Sequence, residues 1–175
     1  MKRNGWQKTW IRTITTLLTV SVMIMIFCFS MENAAESDQR SGEISMIFIR
    51  LFYPEYGQME AASQKELYDR IQFAIRKGAH FTEYLILGFM IRLCFESWFG
   101  SKITRPHPVL FICFTAGLLY ACTDEIHQMA IDGRNGAWTD VMVDGAGVLA
   151  GVWICGKMIS ALNRKHAKHL LSETD

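Results

Sequence analysis

Three short stretches of this 175-residue chain hold the residue types that proton transfer and anion binding require. The first is Arg76-Lys77-x-x-His80-x-x-Glu83-Tyr84, the second Asp124-Glu125-x-His127-Gln128, and the third Arg134 followed by Asp140-x-x-x-Asp144. On a helix, Arg76, His80, Glu83 and Tyr84 share one face, Asp124, His127 and Gln128 share another, and Asp140, Asp144, Gly147 and Gly151 form a stripe. Carboxyl and imidazole groups so placed suit acid–base chemistry. Glu83 or Asp124 would take a proton, with His80 or His127 as the proton partner and Glu125 beside them in the catalytic set. Arg76, Lys77 and Arg134 are the groups to hold phosphate or carboxylate, and Tyr84, Gln128, Asp140 and Asp144 complete the expected binding set. Each residue alone also has a structural reading. Asp124 and Arg134 would form a helix-locking ion pair, and His80 would be satisfied by Glu83 or by the backbone.

Charge sharpens the choice. Glu83, Asp124, Glu125, Asp140 and Asp144 stand against Arg76, Lys77 and Arg134, so two carboxylates are uncompensated if all ionise. Either protons stay on one or two of them, as a general acid needs, or a divalent cation fills the gap. His80-x-x-Glu83 and Glu125-x-His127 offer zinc-type ligands, and the acids alone suit magnesium or manganese. The spacing is not HExxH, and the identity of any metal stays open.

These residues must be positioned by apolar elements. Hydrophobic residues are 50% of the chain and charged ones 20%. With Lys+Arg 18 and Asp+Glu 17, the net charge is +1. That balance lacks the basic excess of a nucleic-acid binder and the apolar poverty of a disordered chain. A mean hydropathy of +0.13 conceals strong blocking along the sequence. Thr13 to Met31 is free of charge and long enough to cross a hydrocarbon core of ~30 Å. It exceeds the usual apolar core of a signal peptide, and its exit lacks a clean A-x-A site, so an uncleaved helix over 11–31 is expected. Gly78 to about Trp98, Val109 to about Ile131 and Trp138 to about Leu162 are further apolar runs that carry ionisable residues. Each central charge costs ~2.5–3.5 kcal/mol on insertion scales, so these runs belong in a bundle rather than alone in lipid. Arg92, Glu96, Lys102, Arg105 and Lys157 read as end charges that snorkel. Cys28, Cys94, Cys113, Cys122 and Cys155 lie in apolar runs without CxxC spacing and read as small apolar fillers.

The expected fold is therefore all-α: one polytopic membrane domain over 1–175 with about four transmembrane helices. A segment over 32–77, with outer amphipathic or interfacial helices, precedes a three-helix core over 78–162 and a basic tail over 163–175. Within the outer segment, Ile44–Phe52 is too short to span and should lie on the interface or cap the bundle. Ser63-x-x-Glu66 reads as a capping box starting a helix that runs into the second crossing. Lys2, Arg3, Lys8 and Arg12, then Lys102 and Arg105, then Arg164, Lys165 and Lys168 all fall on one side of an even number of crossings. That side is expected to be the cytoplasm, with both termini there. Entered from outside, the second run brings His80 and Glu83 within ~8 Å of its outer end. The third reaches Asp124 ~22 Å after Val109, and the fourth holds Asp140 and Asp144 in its first two turns. Three helices thus set their ionisable groups at one outward level, where the bilayer supplies lipid headgroups.

At these residues the chain resembles the VanZ-like family of small bacterial membrane proteins. The resemblance rests on Arg76-Lys77-Gly78-Ala79-His80-Phe81-Thr82-Glu83-Tyr84, Asp124-Glu125-Ile126-His127-Gln128, Gly133-Arg134 and Asp140-x-x-x-Asp144-x-x-Gly147, and covers about Arg76 to Gly151. It implies a multi-pass protein of four or more helices with His80, Glu83, Asp124, Glu125, Gln128, Arg134 and Asp140 as its site. It also implies a role tied to low-level teicoplanin resistance in the cell envelope. Two functions remain open at this point: hydrolysis or group transfer on a lipid-linked or cell-wall precursor, and binding of envelope lipid or glycopeptide without turnover. A transporter ranks below them, because the inner half lacks a matching polar path. The oligomeric state is not legible. A reporter fused after Lys168 is expected to be active only in the cytoplasm; activity confined to the exterior would reverse the topology.

Overall fold

The computed structural model describes residues 5–100, 106–131 and 137–172, and it is helical throughout. The elements are α1 (Gly5–Ser30), α2 (Ala34–Phe52), a 3₁₀ turn (Pro54–Gln58), α3 (Ala61–Phe99), α4 (Pro106–Gln128) and α5 (Trp138–Ser172). No strand occurs among the described residues. Lys8–Ser30 in α1, His107–Gln128 in α4 and Trp138–Lys165 in α5 are long and apolar enough to cross a bilayer. Their outer faces are apolar, with Leu17 60%, Phe111 70% and Met142 62% exposed. A water-soluble fold would bury such side chains, whereas lipid accommodates them. The chain is thus a multi-pass membrane protein embedded in the bilayer.

α3 organises the bundle. Its 39 residues make it about 58 Å long at 1.5 Å per residue, nearly twice the hydrocarbon thickness. The C-terminal half lies level with the three apolar spans and packs against them. Its ionisable residues, too many for a lone span, turn toward protein, as in the Arg92–Glu96 pair at 2.7 Å. α1 runs beside this half: Thr19 Oγ1 donates to the Met90 carbonyl at 3.2 Å and Arg12 Nε to that of Ser97 at 3.1 Å. α2 runs beside the other half. Gln72 Nε2 reaches Ser41 Oγ at 3.2 Å, and Arg76 Nη1 lies 3.0 Å from Asp38 Oδ1. The 44–52 segment is accordingly the second half of an amphipathic helix, with Ser45 and Ile49 buried and Leu51 and Phe52 exposed.

Helix starts differ from the sequence reading in one place. Ser63-x-x-Glu66 does not cap α3. The helix begins at Ala61 after Glu60, which makes no side-chain cap bond. Ala61 and Ala62 are strong helix formers and carry the helix past Ser63 toward the preceding turn. A true capping box lies at Asn33 and Glu36, where Glu36 N donates to Asn33 Oδ1 at 2.9 Å and Asn33 N to Glu36 Oε2 at 3.1 Å. At the other end α5 runs on to Ser172, so most of the basic tail is helical.

The tightest contact is between α3 and α5. A Cβ on Gly147 would fall 2.4 Å from the Phe81 carbonyl oxygen, on Gly151 2.0 Å from that of Leu85, and on Gly88 2.3 Å from that of Val148. The two backbones touch, as small residues permit where lipid gives helices no hydrophobic reason to associate. Around this seam Tyr84, Leu87, Val148, Val152 and Cys113 form the buried core. All five cysteines are unpaired. Gly151→Val is expected to destabilise the detergent-solubilised protein by about 1–3 kcal/mol or more through overpacking. Gly78→Ala, with nothing within 4 Å of its added Cβ, should raise stability by about 0.5–1 kcal/mol. Thermal unfolding of the two variants beside the parent checks both signs.

Candidate functional site

The glycine seam decides what faces what. By bringing α5 against α3 at Phe81 and Leu85, it sets Asp144 opposite His80, with Nδ1 3.6 Å from Oδ1. That is just beyond hydrogen-bond reach, a looseness common in unliganded catalytic sites. Asp144 is sealed, at 1% exposure. One turn earlier Lys77 and Asp140 form an ion pair across the same seam. On α4, Gln128 Nε2 donates to Asp124 Oδ2 at 3.0 Å, a bond between the i and i+4 positions of one face. Glu125 Oε1 accepts from the backbone N–H of Ala137 at 2.6 Å and so ties the end of α4 to the start of α5. His127 turns the other way, with its ring 4.7 Å from that of Phe27 on α1. Tyr84 is fully buried in the core near Asp124 and Asp144.

A cavity of about 90 Å³ opens beside these groups. His80, Glu83 and Arg76 line it from α3, and Asp124 and Gln128 from α4. Its apolar wall is Ile26 and Phe29 of α1, Ile44 of α2 and Ile75 of α3. Ser37, Arg40 and Ser41 of α2 supply the remaining polar surface, together with Ser30 and Glu32. Lys77, Tyr84, Glu125, His127, Asp140 and Asp144 do not line it; Lys77, Asp140 and Asp144 stand behind it or flank it on the α5 side. Arg134 and its neighbour Gly133 lie outside the described residues. The sequence reading missed the α2 contribution. Asn33-x-x-Glu36 was the available signal, since a helix from Ala34 places Ser37, Arg40, Ser41 and Ile44 at i, i+3, i+4 and i+7.

The pairing within the cluster is incomplete. Arg76 is drawn to Asp38, Arg40 to Glu32 and Lys77 to Asp140, which leaves Glu83, Asp124, Glu125 and Asp144 around one imidazole. Among the described residues, His80 Nδ1, the Tyr84 hydroxyl, Asp124 Oδ1, Glu125 Oε2, His127 Nδ1 and Asp144 Oδ1 are buried without a hydrogen-bond partner, as is Ser30 Oγ. Each such atom sacrifices about 1–3 kcal/mol, and folded proteins contain few of them. Most of them belong to the polar cluster among α3, α4 and α5, where such atoms oppose stability. Among the described residues no three His, Cys, Asp or Glu side chains converge as metal ligands.

A long helix flanked by apolar spans, with a half-satisfied polar cluster at one level of the bundle, defines a polytopic helical membrane protein. The family model described as VanZ/LLP1 matches residues 15–160, and the chain belongs to that family, which is linked to resistance at the family level. The match extends well before Arg76 and so takes in α1 and α2, the two helices that wall the cavity. Comparison with curated proteins and with solved structures gave no match.

The Lys77–Asp140 pair is about one-fifth exposed on each side and provides a direct test of the seam's electrostatics. Lys77→Met alone should destabilise the protein by about 3 kcal/mol, because Asp140 is left uncompensated. Lys77→Met/Asp140→Leu should recover most of that loss in the same unfolding assay.

Proposed function

We propose that the cavity binds the headgroup of an amphiphilic envelope compound, of the lipid-linked cell-wall precursor type, and promotes hydrolysis or group transfer at a phosphate or carboxyl centre. The observation that carries this reading is the juxtaposition of three chemistries in one cavity: cations at Arg40 and Arg76, acid–base groups at Glu83, Asp124 and His80, and an apolar wall from α1, α2 and α3. The cations would anchor an anionic group. The ionised carboxylate of Glu83 or Asp124 would take the proton of an attacking water or hydroxyl. Imidazolium at His80, backed by Asp144, would return a proton to the departing oxygen. Glu125 and Lys77 would act by holding α4 and α5 in register rather than by touching substrate.

The basic flanks of the sequence support a topology with both termini in the cytoplasm, which turns this cavity outward to the leaflet where such precursors are used. A role in teicoplanin-type resistance follows, since changing or sequestering the precursor alters the drug's target. Binding without turnover is the second reading. The modest volume of the cavity favours it, because about 90 Å³ admits a headgroup-sized moiety and little more.

Susceptible cells expressing the protein should gain resistance, and Glu83→Gln and Asp124→Asn should each return it to background at unchanged protein level. In a purified system the catalytic reading expects substrate to be consumed about 100-fold or more slowly by either variant. Retained resistance in both variants would overturn the site. Resistance lost only in steps, with no substrate consumed by the parent, would favour the binding reading.

A further inference from the structure

At the opposite end of the bundle α3, α4 and α5 enclose a second, larger cavity of about 380 Å³. Along α5, Lys157 lies about 20 Å beyond Asp144 at 1.5 Å per residue, so the two cavities sit at different membrane levels. Arg92, His107, Lys157 and Arg164 contribute basic groups from all three helices. Among the described residues no carboxylate lines it. The Glu96 carboxylate nearby pairs with one nitrogen of Arg92 at 2.7 Å and leaves the other guanidinium N–H groups, so positive charge remains in surplus. Arg92 does not snorkel: its side chain is only 11% exposed. The wall between these cations is apolar, built from Val152 and Trp153, and Lys157 Nζ sits 5.4 Å from the centre of the Trp153 ring.

We propose that this cavity is a binding site for an anionic phospholipid. The phosphate would lie among Lys157, Arg164 and the free edge of Arg92, with an acyl chain descending along Trp153 between α4 and α5. The chemistry of the rim fits any phosphate, and the wall selects the lipid. Trp153 is 56% exposed on the face of a bilayer-crossing span, so a ligand held there has its tail already in hydrocarbon. The rim also stands at the end of α5 that carries Arg164 and Lys165, and basic pockets between helices on the cytoplasmic side expected for that end characteristically hold anionic headgroups. This site is separate from the polar cluster and stands whether or not that cluster is catalytic.

The test is native mass spectrometry of the full-length protein in mild detergent, titrated with phosphatidylglycerol, with phosphatidylcholine and with inorganic phosphate. Phosphatidylglycerol should be retained and phosphatidylcholine and phosphate should not. Lys157→Gln/Arg164→Gln should weaken phosphatidylglycerol binding on the order of tenfold or more. Lys157→Arg/Arg164→Lys should keep it, and so should Lys65→Gln/Arg70→Gln, which removes equal charge from the far half of α3. Equal retention of both lipids, unchanged binding in the glutamine variant, or loss of binding in the Lys65/Arg70 control would overturn the proposal. Phosphate bound as tightly as phosphatidylglycerol would also overturn it, in favour of a soluble anion.

Discussion

The structure depends on the backbone contact between α3 and α5. Gly88, Gly147 and Gly151 remove the side chains that would hold the helices apart, and carbonyl oxygens of Phe81, Leu85 and Val148 occupy the space. In water, such a contact would add little to a hydrophobic core. In lipid, where tails are as apolar as leucine, close packing is the chief source of association. The same approach brings a histidine on one helix against an aspartate on the other and a lysine against a second aspartate. Packing and site are therefore one arrangement. A shift of α5 by one residue would break both.

The polar groups divide into layers around that seam. Those facing α5 are largely paired or engaged in holding elements together, as Lys77 with Asp140 and Glu125 with the N–H of Ala137. Of those facing the cavity, Arg76 and Arg40 are drawn off to Asp38 and Glu32, while Asp124 keeps one oxygen bonded to Gln128 and the other is buried without a partner among the described residues. A dielectric far below that of water makes such groups strongly felt by anything that enters. Ile26 and Phe29 of α1 and Ile44 of α2 add an apolar wall, so an incoming molecule meets charged groups and hydrocarbon together.

Much of this was legible in the sequence because lipid imposes simple rules. The uncharged run of α1, the depth at which His80, Asp124 and Asp144 fall, and the small-residue stripe at Gly147 and Gly151 all follow from rise per residue and residue size. Orientation about each axis was less legible. Consecutive residues turn about 100° around a helix, so Asp124, Glu125 and His127 point to the cavity, to α5 and to α1 in turn. Residue type does not say which neighbour stands on each side. The role of α2 was hidden for another reason: nothing in the types of Ser37, Arg40 and Ser41 marks them, and only the break at Asn33 fixes which face meets α3. The helix expected near Ser63 forms, but it starts at Ala61, because the local capping pattern competed with two alanines upstream and lost.

The dry middle of the bundle has an electrical meaning. Leu87, Val148 and Cys113 are sealed from solvent between the two chambers, and the touching backbones leave no gap beside them. Such a septum has low polarizability, so most of a membrane voltage would drop across it. Each chamber would then sit near the potential of its own aqueous compartment, and a proton moved within either one would do almost no work against the field.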